Sequence, residues 1–216
     1  MLVRDIMQAE VVTAPPTASL ATLLRLLQAR GFRHVPIVDG QALVGIVSDR
    51  DVKQSMASAA TSAEGRERDR LLAGLTAAHI MARSVRTIGP MFAVEDAVKL
   101  MVTHRISAVP VTDGGRLVGL VTETDVLQLF ARALGVMEPS SRVDVVVPTD
   151  GRATLGDLIR AVEGSGARIS SVMTLAAAEG GREVILRLAT IDPGPATKAI
   201  DAAGFAVRGG APCLPH

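Results

Sequence analysis

Residues 3–53 slide onto residues 77–127 without a gap, Ile6 falling on Ile80 and every later pair keeping that offset. Ile6-Met7 meets Ile80-Met81, Val11-x-Thr13 meets Val85-x-Thr87, and Pro16 meets Pro90. Val35-Pro36 meets Val109-Pro110, and Asp39-Gly40 meets Asp113-Gly114. The longest agreement sets LVGIVSDRDV, Leu43 to Val52, against LVGLVTETDV, Leu117 to Val126. About sixteen identities in 51 positions mark an internal duplication. A unit of roughly 50 residues buries little apolar surface by itself, so the two copies are expected to pack against each other.

Each copy carries the same succession of signals. A short strand, Glu10–Ala14 or Val85–Ile88, runs up to a proline. Leu20, Leu23, Leu24 and Leu27 then follow helical spacing, as do Val94, Ala97, Val98 and Met101. Two β-rich runs joined by Asp-Gly turns come next, HVPIVDGQALVGIVS and AVPVTDGGRLVGLVT, and a helix opens at Asp49 or Glu123. Copies at about 1–57 and 75–135 thus read as β-α-β-β-α units. Between them lies a linker at about 58–74. The small polar stretch opening at Ser55 reads as a loop, GRERDR as a solvated helical face, and Leu71, Leu72, Leu75 and Ile80 as an apolar stripe entering the second copy.

Glu138-Pro139-Ser140-Ser141 reads as a second linker, separating residues 1–137 from 142–216. Beyond it the signals change. RVDVVVP is a strand, ATLGDLIRAVEGSG a helix ending at glycine, ARISSVMTL and REVILRLATI are strands joined by AAAEGG, ATKAIDAAG is a helix, and FAVRG is a last strand. That order, β-α-β-β-α-β, is the ferredoxin-like split βαβ arrangement. The tail GGAPCLPH has no core pattern and reads as loose. The fold class is α+β throughout.

Composition removes several functions. With 48% hydrophobic residues the chain folds, and with no Trp, no Tyr and four Phe it has little with which to stack on bases. A formal net charge of +1 with interspersed signs leaves no electrostatic footprint for nucleic acid. Cys213 is the only cysteine, so no internal disulfide forms and nothing points to secretion. The charged start MLVRDIMQAE does not resemble a signal peptide, and no apolar run approaches the roughly 20 residues of a membrane helix. The expectation is a cytoplasmic protein with no membrane partner.

No catalytic constellation is present: no Gly-x-Ser-x-Gly elbow, no Walker-type Gly-Lys-Ser/Thr and no His-Glu-x-x-His. Gly164-Ser165-Gly166 sits at a helix end and reads as a C-cap. His79 and His104 lie on helical stretches without a second ligand at metal spacing, and the eight methionines read mostly as core filling. The repeated Ser/Thr-x-x-Asp has two readings. It is an ordinary helix cap, hydroxyl and carboxylate satisfying orphan N–H groups. It is also half of a ligand site, with a helix N-terminus for phosphate and a carboxylate whose two oxygens match the two hydroxyls of a sugar diol.

On DIM…VVT, RHVPIVD with SAVPVTD, and GIVSDRDV with GLVTETDV, residues 1–137 resemble a pseudo-symmetric tandem pair of CBS domains, a Bateman module. By element order, residues 142–216 resemble an ACT-type domain. The combination is similar to bacterial acetoin-utilisation regulatory proteins. The resemblance implies no covalent cofactor and no enzymatic activity, but a regulatory adenosyl ligand: AMP, ADP, ATP or S-adenosylmethionine. It places a first site at Thr13, Arg33, His34, Val35, Pro36, Ser48, Arg50 and Asp51, and a second at Thr87, Ala108, Val109, Pro110, Thr122 and Asp125. In this pattern the strand-end hydroxyl faces phosphate, the Asp takes the ribose hydroxyls, Thr13 or Thr87 lies by the adenine edge, and Arg33 and His34 reach phosphate. Relatives seat small effectors beside the loop equivalent to Pro148-Thr149-Asp150-Gly151; here structure and dimerisation are expected of it instead.

The copies differ in charge. Copy one sets Arg33, His34, Arg50 and Lys53 around its motif, where copy two has Ser107, Ala108, Thr124 and Leu127, with Glu123 added. The expectation is therefore one phosphate-tolerant nucleotide site centred on Asp51, in a homodimeric sensor that passes its ligand state to the ACT-like part or to a partner. The alternatives are an oligomerisation module with degenerate sites, or a regulatory subunit of a separate enzyme.

Overall fold

A computed structural model describes the chain except residues 30, 63–64, 149, 178–180 and 214–216; for 59–62, 68–69, 71 and 210–213 only the backbone is described. The chain divides into two compact units, Met1–Val126 and Leu127–His216.

In the first unit, copy one supplies α1 (Leu20–Ala29), β1 (His34–Asp39), β2 (Ala42–Ser48) and α2 (Asp49–Ser62). After α3 (Gly65–Gly74) and α4 (Ala77–Ile80), copy two supplies α5 (Val94–His104), β3 (Ala108–Asp113), β4 (Arg116–Thr122) and the start of α6 (Glu123–Ala133), which passes the unit boundary after Val126. The two hairpins form one antiparallel sheet of order β1-β2-β4-β3, joined at Ala42↔Arg116, a pair of duplicate positions that marks a pseudo-twofold axis. Pro36 and Pro110 sit in β1 and β3, both edge strands, where a missing N–H costs no ladder bond. Each hairpin carries a bulge at the same place, Ile37/Val38 and Val111/Thr112.

The sequence repeat is not the packing unit, because the opening segments change places. Copy one begins by docking on copy two: the Val3 N–H donates to the Phe92 carbonyl, Arg4 to Pro90, and Gln8 exchanges backbone bonds with Leu120 on β4. The duplicate bonds run the other way, Ala77 to Ala18, Ala78 to Pro16, and Ala82 with Ile46 on β2. Met81 consequently lies in the core of copy one, with Leu23, Leu27, Val35, Ile37, Val47 and Val52. Gly45 is the notch that admits it: a Cβ there would overlap the Met81 thioether. Gly119 is the matching notch for Met7, whose Sδ would lie 2.5 Å from an added Cβ.

Several sequence expectations are corrected here. Glu10–Ala14 and Val85–Ile88 are not strands but extended runs with one bridge each, Ala14↔Ile37 and Ile88↔Val111. Polar stretches cannot be read as loops from polarity alone: the stretch from Ser55 continues α2 to Ser62, since its alanines favour helix once a cap has nucleated it. Leu72, Leu75 and Ile80 pack on the copy-one core as the apolar stripe requires, while the Leu71 side chain lies outside the described residues. Of the methionines, Met81 and Met101 are buried, but Met1, Met56, Met91 and Met137 are exposed.

The second unit runs β5 (Ser140–Val147), α7 (Leu155–Gly164), β6 (Ile169–Ala176), β7 (Arg182–Leu188), α8 (Gly194–Ala202) and β8 (Ala206–Cys213). Its antiparallel sheet has order β6-β7-β5-β8. Alternate residues Val143, Val145 and Val147 join Leu158, Val162, Leu186 and Ile200 in the core. Two further corrections belong to this unit. Ser140 and Ser141, read as linker, are buried in β5, with Ser140 Oγ accepting from Arg187 at 3.0 Å. The supposedly loose tail pairs with β5 as far as Ser140↔Cys213, because backbone pairing needs no apolar side-chain pattern; the Cys213 side chain lies outside the described residues. Among the described residues no helix is long and apolar enough to cross a membrane.

Candidate functional site

β2 ends at Ser48 and α2 begins at Asp49, so the first motif is built where a strand stops and a helix opens. Ser48 donates to Asp51 Oδ2 through its Oγ at 2.6 Å and its N–H at 2.7 Å, and the Asp51 N–H returns a bond to Ser48 Oγ at 3.3 Å. Thr122 and Asp125 repeat this at 2.7, 2.8 and 3.4 Å. A third copy of the same box, Thr154 with Asp157, caps α7. The box alone is therefore a helix cap. What distinguishes the three is the remaining carboxylate oxygen. Asp157 is exposed and its Oδ1 accepts from Arg160 at 2.5 Å; these bonds and those from Thr154 lower its pKa to about 2. Asp125 is only 6% exposed, and its Oδ1 accepts from Gln8 Nε2 at 3.0 Å. Asp51 is half-buried, and among the described residues its Oδ1 accepts nothing.

Asp51 opens on a cleft of about 450 Å³ that both copies line, within the size range of small-molecule sites. Copy one contributes Arg33, His34, Ser48, Arg50 and Asp51, five of the eight residues expected of a first site. Copy two contributes Arg105, Ser107, Ala108 and Glu123, so Ala108, expected of the second site, belongs to this cleft. The Asp49 N–H donates to the Arg33 carbonyl at 2.9 Å, which holds Arg33 beside the start of α2. Lys53 is drawn to Asp49 Oδ2 at 2.9 Å, and that contact lowers the Asp49 pKa. His34 Nε2 lies 3.2 Å from Ser107 Oγ. Burial, then the Arg33 charge, holds its imidazole below the ordinary 6.5, against the opposing pull of Asp49, Asp51 and Glu123.

Arg105 is the residue that sequence reasoning missed. It ends α5 with φ 54°, the one non-glycine residue with positive φ among those described, where the duplicate position holds Gly31 at φ 64°. A side chain in this conformation costs roughly 1–2 kcal/mol, so glycine is the expected occupant. Comparing the two helix ends would have exposed the exception. Among the described residues the guanidiniums of Arg33, Arg50 and Arg105 have no hydrogen bond or ion pair. With Asp49, Asp51 and Glu123 they make a bipolar cleft rather than a uniformly basic one.

The other expected residues lie elsewhere. Val35, Pro36, Val109 and Pro110 are buried in the edge strands and shape the sheet behind the cleft. Thr13 lines a separate hollow of about 300 Å³ with Val38, Gln41 and Arg116. Thr87 lines another of about 570 Å³ with Lys99 and His104. Thr122 and Asp125 adjoin the cleft in sequence, through Glu123, but do not line it. His79 caps α4, its Nδ1 accepting from the Thr76 N–H at 3.1 Å. In the second unit, Asp150 pairs with Arg152 at 3.4 Å, while Thr149 of the same loop lies outside the described residues.

Comparison with known proteins agrees with this construction of the first unit. The chain is 36% identical over 140 residues to a 33.4 kDa protein of Thermofilum pendens, matching 62% of this chain and 45% of that one, so it spans less than half of that relative. Among solved structures, the CBS domain pair of protein MJ0100, in complex with 5′-methylthioadenosine and S-adenosyl-L-methionine, is 30% identical with a TM-score of 0.52, covering 61% of this chain and 97% of that one. An acetoin utilization protein from Vibrio cholerae is 28% identical, TM-score 0.54, over 63% and 94%. CBSX2 in complex with AMP is 25% identical, TM-score 0.51, over 61% and 96%. The CBS domain model matches twice, at residues 3–58 and 77–132, just over half of the chain. With a duplicated β-α-β-β-α plan, a shared sheet and an interlocked pair of opening segments, this chain belongs to the CBS-domain family.

Proposed function

We propose that this chain is a ligand-sensing regulatory protein that takes an adenosyl ligand in the Asp51 cleft and performs no chemistry of its own. One observation carries the reading: a carboxylate oxygen and three guanidiniums, all without a partner among the described residues, edge one cleft. Asp51 Oδ1 accepts from a ribose hydroxyl while Oδ2 keeps the helix cap. Arg33, Arg50 and Arg105 take the phosphate or carboxylate end, with His34 beside them, and Ser48 fixes the carboxylate's orientation. The ligands in the related MJ0100 and CBSX2 structures support an adenosyl group. A bipolar cleft accommodates either AMP or the zwitterionic end of S-adenosylmethionine.

The test is calorimetric titration of AMP and S-adenosylmethionine into the full chain. Hydrogen bonds to a charged group contribute about 1.5–3 kcal/mol, so Asp51→Ala is expected to weaken binding by roughly one to two powers of ten. Asp125→Ala should leave it nearly unchanged. Equal losses would remove the assignment to Asp51.

The second unit fits an ACT-type, ferredoxin-like domain; its element order and β6-β7-β5-β8 sheet support this. β6 is an edge strand with Val172 and Leu175 exposed, which favours pairing between two chains through this unit. Relay of ligand state requires that the ligand bind two arrangements of the protein with different affinity.

A further inference from the structure

We propose that Gln8 closes the second motif, so that the opening segment of the chain, rather than the motif itself, decides how many ligands the CBS pair admits. This inference rests on the adenosyl reading of the Asp51 cleft and extends it to the other copy. Judged by the motif alone, the sites are equivalent: Thr122 and Asp125 reproduce every bond of Ser48 and Asp51. The difference arrives from 117 residues away, where the Gln8 amide donates to Asp125 Oδ1 at 3.0 Å.

That oxygen is the one a ribose would need. With Oδ2 committed to both the N–H and the hydroxyl of Thr122, Asp125 has no unengaged oxygen, and it is buried. The exchange of opening segments gives this arrangement a built-in control. Gln8 pairs with Leu120 on β4, and its duplicate Ala82 pairs with Ile46 on β2. The two residues hold equivalent places in the duplicated backbone pairing, but the alanine methyl cannot donate. Among the described residues Asp51 therefore keeps a free oxygen where Asp125 does not. The lining of the shared cleft agrees independently, for it takes in Ser48 and Asp51 and, from the other copy, reaches Glu123 but not Thr122 or Asp125.

The backbone pairing with Leu120 holds Gln8 in place, and its side-chain amide alone reaches Asp125, so a single substitution removes the plug and leaves that pairing intact. Titration of the full chain with AMP provides the test. The wild type should bind one AMP per chain and Gln8→Ala two. Ala82→Gln, at an exposed position, should plug the first site and weaken AMP binding at least tenfold. A stoichiometry that does not rise in Gln8→Ala, or a wild type that already binds two, overturns the proposal. Should Gln8→Ala fail to fold, an Ala82→Gln variant with wild-type affinity overturns it equally. If the wild type binds no AMP but Gln8→Ala gains one site, the plug stands and the assignment to Asp51 falls.

Discussion

Arg105 occupies a left-handed backbone position that its duplicate gives to Gly31, and its guanidinium edges the Asp51 cleft without a partner among the described residues. Strain retained at a binding surface is a sign that the side chain is needed there. Arg105→Gly is expected to stabilise the fold by up to about 1 kcal/mol in urea unfolding while weakening AMP binding. A stability gain with unchanged affinity would show that Arg105 does not touch the ligand. His34 gives a second test. Its folded pKa lies below 6.5, so the stability it confers is complete above pH 6.5 and is lost as pH falls through 6.5 toward the folded value, because the unfolded chain then binds the extra proton. A phosphate seated beside the imidazole reverses that pull. AMP binding near pH 6.5 should therefore take up protons, measured as a dependence of the binding heat on buffer ionisation, and should tighten as pH falls. No uptake would place the phosphate away from His34.

Among secondary elements, the decisive contacts are made by the short opening segment of each copy, ahead of its first long helix. Met7 and Met81 lie in notches that exist only because positions 119 and 45 lack a Cβ. Gly45→Ala should cost about 1–3 kcal/mol, the usual range for overpacking a filled core. Much of that loss should be relieved in the Gly45→Ala, Met81→Ala double variant relative to the sum of the single changes. Simple additivity in that double-mutant cycle would mean that the two residues do not share the notch. Gly119→Ala should be tolerated less well, since its added Cβ also approaches the Gln8 carbonyl at 3.2 Å. Backbone yields less readily than a thioether.

For the whole molecule, every group assigned to the ligand lies within residues 1–126, one of the two compact units. Binding stabilises whatever folds around the ligand by RT ln(1+[L]/Kd), about 2.7 kcal/mol at a hundredfold excess over Kd. Differential scanning calorimetry of the full chain with AMP should therefore raise the transition of the first unit. If the units unfold independently, the transition of residues 127–216 should stay in place. A shift of both together would show that ligand binding is coupled to the second unit, the behaviour a relay requires.

The sequence by itself determined the duplication, the helix and hairpin of each copy, the two Ser/Thr-x-x-Asp boxes and the element order of the second unit. Those features are local: spacing, Asp-Gly turns and caps act over a few residues and leave their trace in neighbouring letters. It also pointed to Arg33, His34, Ser48, Arg50 and Asp51, which the fold gathers at one cleft. Only the tertiary structure decided that the opening segments cross between copies, that Arg105 and Glu123 edge the first copy's cleft, and that Thr13 and Thr87 line other hollows. It alone set Gln8 against Asp125, 117 residues away. A single sequence records which residues are repeated, but not which copy each one packs against. That is settled by where apolar side chains find space, here in two notches without a Cβ, and those notches join residues far apart in the chain.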